Sequence, residues 1–171
     1  MSEAAKGILV GHDGSKDANQ ALQTAARMAA ALGTHVTVTR AWSLMTAPKP
    51  PTAAAGYVPP LEDFEAATLA DLDGDVAAVR EQFPDVTINT AVVRGNPAAQ
   101  LIDASESAEM VVVGSRGRGG FAGLVLGSVS EQVVRYAKCP VLVVRRGVGE
   151  AQQPAGDSGT YLEEALASEP S

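Results

Sequence analysis

Val111 to Ser130 reads VVVGSRGRGGFAGLVLGSVS, and EQVVRYAK follows. Val111 to Val113 are β-branched and end a strand. Glycines at 114, 117, 119, 120, 123 and 127 come next. Ser128-Val129-Ser130-Glu131 then has the spacing of a capping box, which predicts a helix start with Ser128 as its cap. Strand, glycine-rich loop and helix N-terminus together suit an anion. Glycines let backbone N–H groups converge, and the first helical turn adds unpaired donors and the positive end of the dipole. Arg116 and Arg118 add charge, and the hydroxyls of Ser128 and Ser130 add donors. The stretch reads as a cradle for nucleotide phosphates. The bland alternative is a surface glycine loop with Ser128 as a helix cap only. Position after a buried-type strand, two arginines and serines at the helix start all favour the cradle. It is not a Walker A loop, because no Gly-Lys-Ser/Thr follows at the required spacing. The strand-to-helix span is too long for a Rossmann fingerprint.

Gly114, two residues, Gly117, nine residues, then Gly127-Ser128 resembles the ATP-binding signature of the universal stress protein family. The resemblance covers about residues 6 to 146 and includes the opening ILVGHDGS and the closing CPVLVVR. It implies an adenosine site framed by Asp13, Ala41 and Val93 to Gly95. Gly11 and His12 flank Asp13 in this candidate set, and Val113 precedes Gly114. The backbone of Gly114 to Gly117 and of Gly127, Ser128, Val129 and Ser130 would hold the phosphates, with Arg116 against ribose or phosphate. ATP is the implied ligand, with AMP and cyclic AMP sharing its adenosine part. Any Mg²⁺ would be carried by the phosphates, because the cradle sequence contains no carboxylate. The resemblance also implies a homodimer joined along Pro140 to Val144.

The length suits one domain, residues 1–146, followed by a tail, 147–171. The net charge of −7 sits mostly in that tail, which holds five acids and no Lys or Arg. Its Gly, Ala, Pro and Ser content reads as disordered. The remaining −2 leaves a nearly neutral body, which argues against nucleic-acid binding. The single cysteine, Cys139, excludes an internal disulfide and reads as a buried, inert thiol. No apolar run approaches membrane length and no signal pattern opens the chain, so the expected location is cytoplasmic.

Ile8 to Val10 is a short apolar run, expected as a buried central strand, and Gly11 to Ser15 is the turn after it. Asp13 lies past the strand's carboxyl end, where open α/β sheets bind ligands; it either accepts from a nucleoside or caps the next helix. His12 and His35 lack partners at metal-ligand spacing and read as structural or solvated. Asp17 to Leu32 places Ala18, Leu22, Ala25, Ala29 and Leu32 on one helical face, with Gly33 as a C-cap. Val36 to Trp42 alternates as a strand, with Trp42 either stacking on adenine or half-buried at the rim. Five prolines between 43 and 60 predict a loop. Leu61 to Phe83 is helical through Gly74, Val86 to Val93 is a third strand, and Asn96-Pro97 opens a helix. Met110 to Val113 and Pro140 to Val144 are the fourth and fifth strands.

This alternation predicts an α/β fold: a single doubly wound, five-stranded parallel sheet between two helical layers, Rossmann-like. By resemblance it is similar to the adenine nucleotide alpha hydrolase type, with the switch point of strand order between the first and fourth strands. Asp13 and Gly114 would face each other there. The function class expected is a nucleotide-responsive stress or signalling module. The competing class is a slow ATPase or another ATP-using enzyme. No catalytic residue is assigned, since the sequence has no Walker lysine, acidic metal site beside the loop, or nucleotidyl-transfer motif.

Overall fold

The computed structural model describes residues 6–118 and 126–145. Residues 119–125 of the glycine run and the acidic stretch 147–171 lie outside the described residues. Among those described, five strands form one parallel sheet in the order β3-β2-β1-β4-β5. They are β1 (Ile8–Gly11), β2 (Val36–Trp42), β3 (Ile88–Arg94), β4 (Met110–Gly114) and β5 (Val141–Val144). The helices are α1 (Lys16–Leu32), α2 (Leu61–Gln82), α3 (Pro97–Ala104) and α4 (Ser128–Tyr136).

Strand alternation sends side chains to two separate cores. Ile8, Val10, Val36, Val38, Ile88 and Val112 pack on one face against Ala21, Leu22, Ala25 and Ala29 of α1 and Leu72, Val76 and Val79 of α2. Leu9, Val111 and Val113 pack on the other against Leu101 of α3 and Val133 of α4. Both cores are small aliphatic, as the scarcity of aromatics requires. The three-layer architecture is therefore the expected one.

Several boundaries differ from the sequence reading. Leu32 is 63% exposed and lies off the packed face. Gly33 ends α1 in the left-handed conformation, φ 67°, where its lack of Cβ costs nothing. The third strand starts at Ile88 because Val86 is still in a turn, its N–H donating to Phe83 O at 3.1 Å. Trp42 is buried rather than half-buried, and its indole N–H has no hydrogen-bond partner among the described residues. Residues 43–60 hold turns and one isolated bridge, Ala54 to Tyr57. No helix among the described residues is long and apolar enough to cross a membrane.

Candidate functional site

The chain leaves β1 into α1 on one face and leaves β4 toward α4 on the other. The adjacent strand ends therefore diverge, and a cavity of about 740 Å³ opens between them.

The β1–α1 turn supplies one wall. Gly14 takes φ 81°, and Ser15 caps α1 by accepting from Ala18 N at 3.1 Å. Asp13 is thus not the cap. Its Oδ1 accepts from Ser15 N at 2.9 Å and its Oδ2 accepts from Arg118 N at 3.0 Å. Burial alone would raise the Asp13 pKa, but the hydrogen bonds from Ser15 and Arg118 outweigh it and hold the carboxyl below its ordinary 3.8.

His12 is buried in a polar network that the sequence reading missed. Its Nε2 pairs with Asn19 Oδ1 at 2.8 Å, and its Nδ1 lies 2.6 Å from Arg40 Nη2. Arg40, itself buried, also donates to His12 O at 3.2 Å, to Asp71 Oδ2 at 2.7 Å and to Asp75 Oδ2 at 2.6 Å. A guanidinium beside Nδ1 requires that nitrogen to accept, so the ring is neutral and its Nε2–H donates to Asn19. Desolvation, and secondarily the Arg40 charge, lower the His12 pKa from 6.5. Unfolded chain then binds the proton more readily than folded chain. His12's contribution to stability is complete above 6.5 and is lost as pH falls below that value, through the depressed folded pKa. Calorimetric Tm should decline between about pH 7 and pH 5 in the wild type, and less steeply in His12→Asn. A flat wild-type profile would contradict this assignment. Asp13 and Asp73, both depressed, lose their contributions only below 3.8.

The second wall is β2. Its register with β1 ends at Gly11 opposite Thr39, yet β2 continues beside β3 to Trp42. Thr39 O accepts from His12 N at 2.9 Å. Ala41, two residues on, turns its N–H and C=O to the same side, where β1 has already ended, and it lines the cavity. Gly95, φ 143°, closes this end, its N–H donating to Trp42 O at 3.0 Å. Asn96 caps α3 through Ala99 N at 3.0 Å. Val93 pairs in register with Ala41, and the cavity at this edge is lined by Ala41, Trp42 and Gly95.

The third wall follows β4. Val113, Gly114, Arg116 and Gly117 line the cavity, as do Gly11, His12, Asp13 and Gly127 to Ser130. Gly114 faces α1 and not Asp13: a Cβ there would lie 2.7 Å from the Asp17 backbone carbon. The residue against Asp13 is Gly117, where a Cβ would lie 2.7 Å from Oδ2.

Ser115, buried and missed in the sequence, holds the loop shut. Its Oγ donates to Asp17 Oδ2 at 3.0 Å. Its carbonyl accepts from Gly127 N at 2.8 Å and from Ser130 Oγ at 3.2 Å. The Gly127 N–H and the Ser130 hydroxyl are therefore engaged with the protein. The expected capping box is absent, because α4 starts with Ser128 inside it and Gly127 as N-cap, without a side-chain cap. This leaves the first-turn N–H groups of Ser128, Val129 and Ser130 at the cavity, whereas α1 and α3 are capped by their own side chains. An uncapped helix start with Arg116 beside it favours an anion. No cluster of three or more His, Cys, Asp or Glu suited to a metal occurs among the described residues.

The model of the "Universal stress protein family" matches residues 5–145. Universal stress protein Rv2623 of Mycobacterium tuberculosis is 38% identical over 141 residues, covering 82% of this chain and 46% of its own length. The chain thus spans about half the length of the curated relatives it matches. A universal stress protein solved in complex with cAMP is 28% identical with TM-score 0.56, the match covering 82% of this chain and 97% of that one. The universal stress protein UspA of Lactobacillus plantarum shares the fold at 21% identity and TM-score 0.59, over 82% and 97% of the two chains.

Proposed function

Since the chain belongs to the universal stress protein family, we propose that it is an adenine-nucleotide-binding module of that family, with ATP as its ligand. One observation carries the reading. The backbone of Ala41, the carboxylate of Asp13 and the uncapped start of α4 line one cavity, and on this reading they would meet base, ribose and phosphate in turn. Ala41 would offer one donor and one acceptor to the base edge. Asp13 would accept from ribose hydroxyls. The N–H groups of Ser128, Val129 and Ser130, with Arg116, would hold the phosphates. Mg²⁺, when bound, would ride on the phosphates and offset their charge. The cAMP complex of a relative supports the adenine class.

The role proposed is binding rather than catalysis, with nucleotide occupancy as the signal. His12 is tied to Asn19 and Arg40, and the acceptor positions that Ser15 and Arg118 leave on Asp13 would be taken by the ribose, so neither is placed to activate water. A nest of N–H groups stabilises ground and transition states alike, which gives affinity without rate.

Gly117→Ala tests the site. The added Cβ would push the loop off Asp13, and ATP affinity measured by calorimetry should fall at least about tenfold, about 1.4 kcal/mol. Unchanged affinity in the folded variant would sink the assignment. Titration with ATP, AMP and cAMP ranks the nucleotides.

We also propose a homodimer along β5. It is an edge strand with Val141, Leu142 and Val143 only half-buried, and Val134 and Tyr136 of α4 are exposed. Two copies would approach the length of the curated relatives. Light scattering should show a dimer at micromolar concentration and a monomer for Val143→Lys; a wild-type monomer would refute it.

A further inference from the structure

We propose that Asp13 is a positioning residue as well as a nucleoside contact: its carboxylate latches the segment 116–118 onto the β1–α1 turn and so couples the ribose end of the site to the phosphate end. This rests on the nucleotide-binding reading above and adds to it a dependence of phosphate affinity on a residue outside the phosphate loop.

Four contacts place the latch. Asp13 Oδ2 accepts from Arg118 N at 3.0 Å. Gly117 lies so close to the same oxygen that a Cβ would come within 2.7 Å of it. The Arg118 guanidinium lies on Gly14, where a Cβ would meet Nη2 at 2.5 Å. Ser15 Oγ reaches Arg116 O at a long 3.5 Å. Asp13 is itself held, because its Oδ1 accepts from Ser15 N at 2.9 Å and Ser15 is the cap of α1. Order therefore passes from the first turn of α1, through one carboxylate, to the segment that carries Arg116 into the cavity.

The far end of the loop is tied independently, by Gly127 N and Ser130 Oγ on Ser115 O. The near end is held at Ser115 by Val144 O and Asp17, and Asp13 is the tie that reaches Arg118 beyond it. A carboxylate has about four acceptor positions, and the two protein N–H groups fill two of them. A ribose hydroxyl shares the group with Arg118 N–H without displacing it. Asparagine cannot reproduce this. It keeps one acceptor oxygen and turns an NH₂ toward either Ser15 N–H or Arg118 N–H, donor against donor. With Arg116 assigned to the phosphates, a nucleoside without phosphate makes no use of segment 116–118, so losing the latch penalises the phosphorylated ligand selectively.

The test is calorimetric titration of adenosine and of ATP into wild type, Asp13→Asn, Arg118→Pro and the double variant. Arg118→Pro deletes the donor of the latch and leaves the carboxylate in place. The ratio of ATP to adenosine affinity should fall at least about tenfold in each single variant, and the double should fall no further than the worse single, within about threefold. In unliganded wild type the Arg118 amide should be protected from hydrogen exchange, and in Asp13→Asn it should not. If Asp13→Asn fails to fold by circular dichroism, the wild-type exchange and the Arg118→Pro ratio carry the decision. An equal loss for adenosine and ATP would make Asp13 a plain nucleoside contact and overturn the latch. Additive losses in the double variant, or an unprotected Arg118 amide in wild type, would also overturn it. Wild type that binds neither ligand would overturn the nucleotide reading itself, and the latch with it.

Discussion

Gly114→Ala should destabilise the fold by about 3 kcal/mol and lower Tm by roughly 6–12 °C. A Cβ on Gly114 would lie 2.7 Å from the backbone carbon of Asp17, 2.8 Å from its Cβ and 2.9 Å from its carbonyl oxygen. Main chain cannot rotate aside as a flexible side chain would. The first turn of α1 must move away from β4, which strains the Ser15 cap and the Ser115 Oγ to Asp17 Oδ2 hydrogen bond. Because Asp13 is held through Ser15, the cap of that turn, ATP affinity should fall with stability. Gly74→Ala is the matched control, with nothing within 4 Å of the added carbon on the exposed middle of α2. There alanine should stabilise by about 0.5–1 kcal/mol through helix propensity. Thermal unfolding of both variants decides the matter. A wild-type Tm for Gly114→Ala would mean that α1 and β4 do not meet as described.

Arg40→Met should cost about 2–3 kcal/mol and weaken nucleotide binding as well. The methionine replaces the aliphatic stem but leaves His12 O without its donor and His12 Nδ1 with only the long hydrogen bond from Gly14 N at 3.3 Å. Asp71 and Asp75 lose their partner too, but their side chains are 49% and 34% exposed and rehydrate, which keeps the cost below that of a fully buried pair. Arg40→Lys should recover only part, because one ammonium cannot reach His12, Asp71 and Asp75 together in the geometry of a planar fork. Denaturant unfolding of the three proteins measures this. Equal stability of Arg40→Met and wild type would show the network to be incidental.

The strands and helices were legible in the sequence because burial writes itself into periodicity. Ile8-Leu9-Val10 and Val111-Val112-Val113 are apolar on both faces because helices cover both. The glycine spacing stood out in the sequence, but the packing reason for it did not: Gly114 and Gly117 meet Asp17 and Asp13, and no side chain fits between. What could not be read was polar chemistry between distant residues. Ser115 works through a carbonyl, which carries no residue identity, and its side-chain partner Asp17 lies in another element. Arg40, Asp71 and Asp75 look like ordinary strand and helix charges until β2 and α2 are superposed. The i,i+4 spacing of Asp71 and Asp75 was the one available signal that a single cation might take both. Ser128 misled because a serine before the helical run has the composition of a cap, while the chain turned one residue earlier, at Gly127. The resemblance gives a neighbourhood around Val93 to Gly95, and only the pleat decides which residue of it reaches the cavity, which Gly95 does.

The proline-rich connection has a consequence for how the molecule could diversify. Segment 43–60 is clamped at one end by the β2–β3 ladder and at the other by the ion pairs that bind α2 to Arg40. Between these anchors it contributes Ser43, Thr46 and Pro48 to the cavity. It is therefore an exchangeable cassette. Lengthening its exposed stretches, outside the buried Pro50, adds closure entropy only logarithmically, about 0.6 kcal/mol per doubling, and leaves the sheet unchanged. Grafted versions of this one segment would reshape that rim of the cavity on a constant scaffold, so ligand preference could evolve without renegotiating the fold.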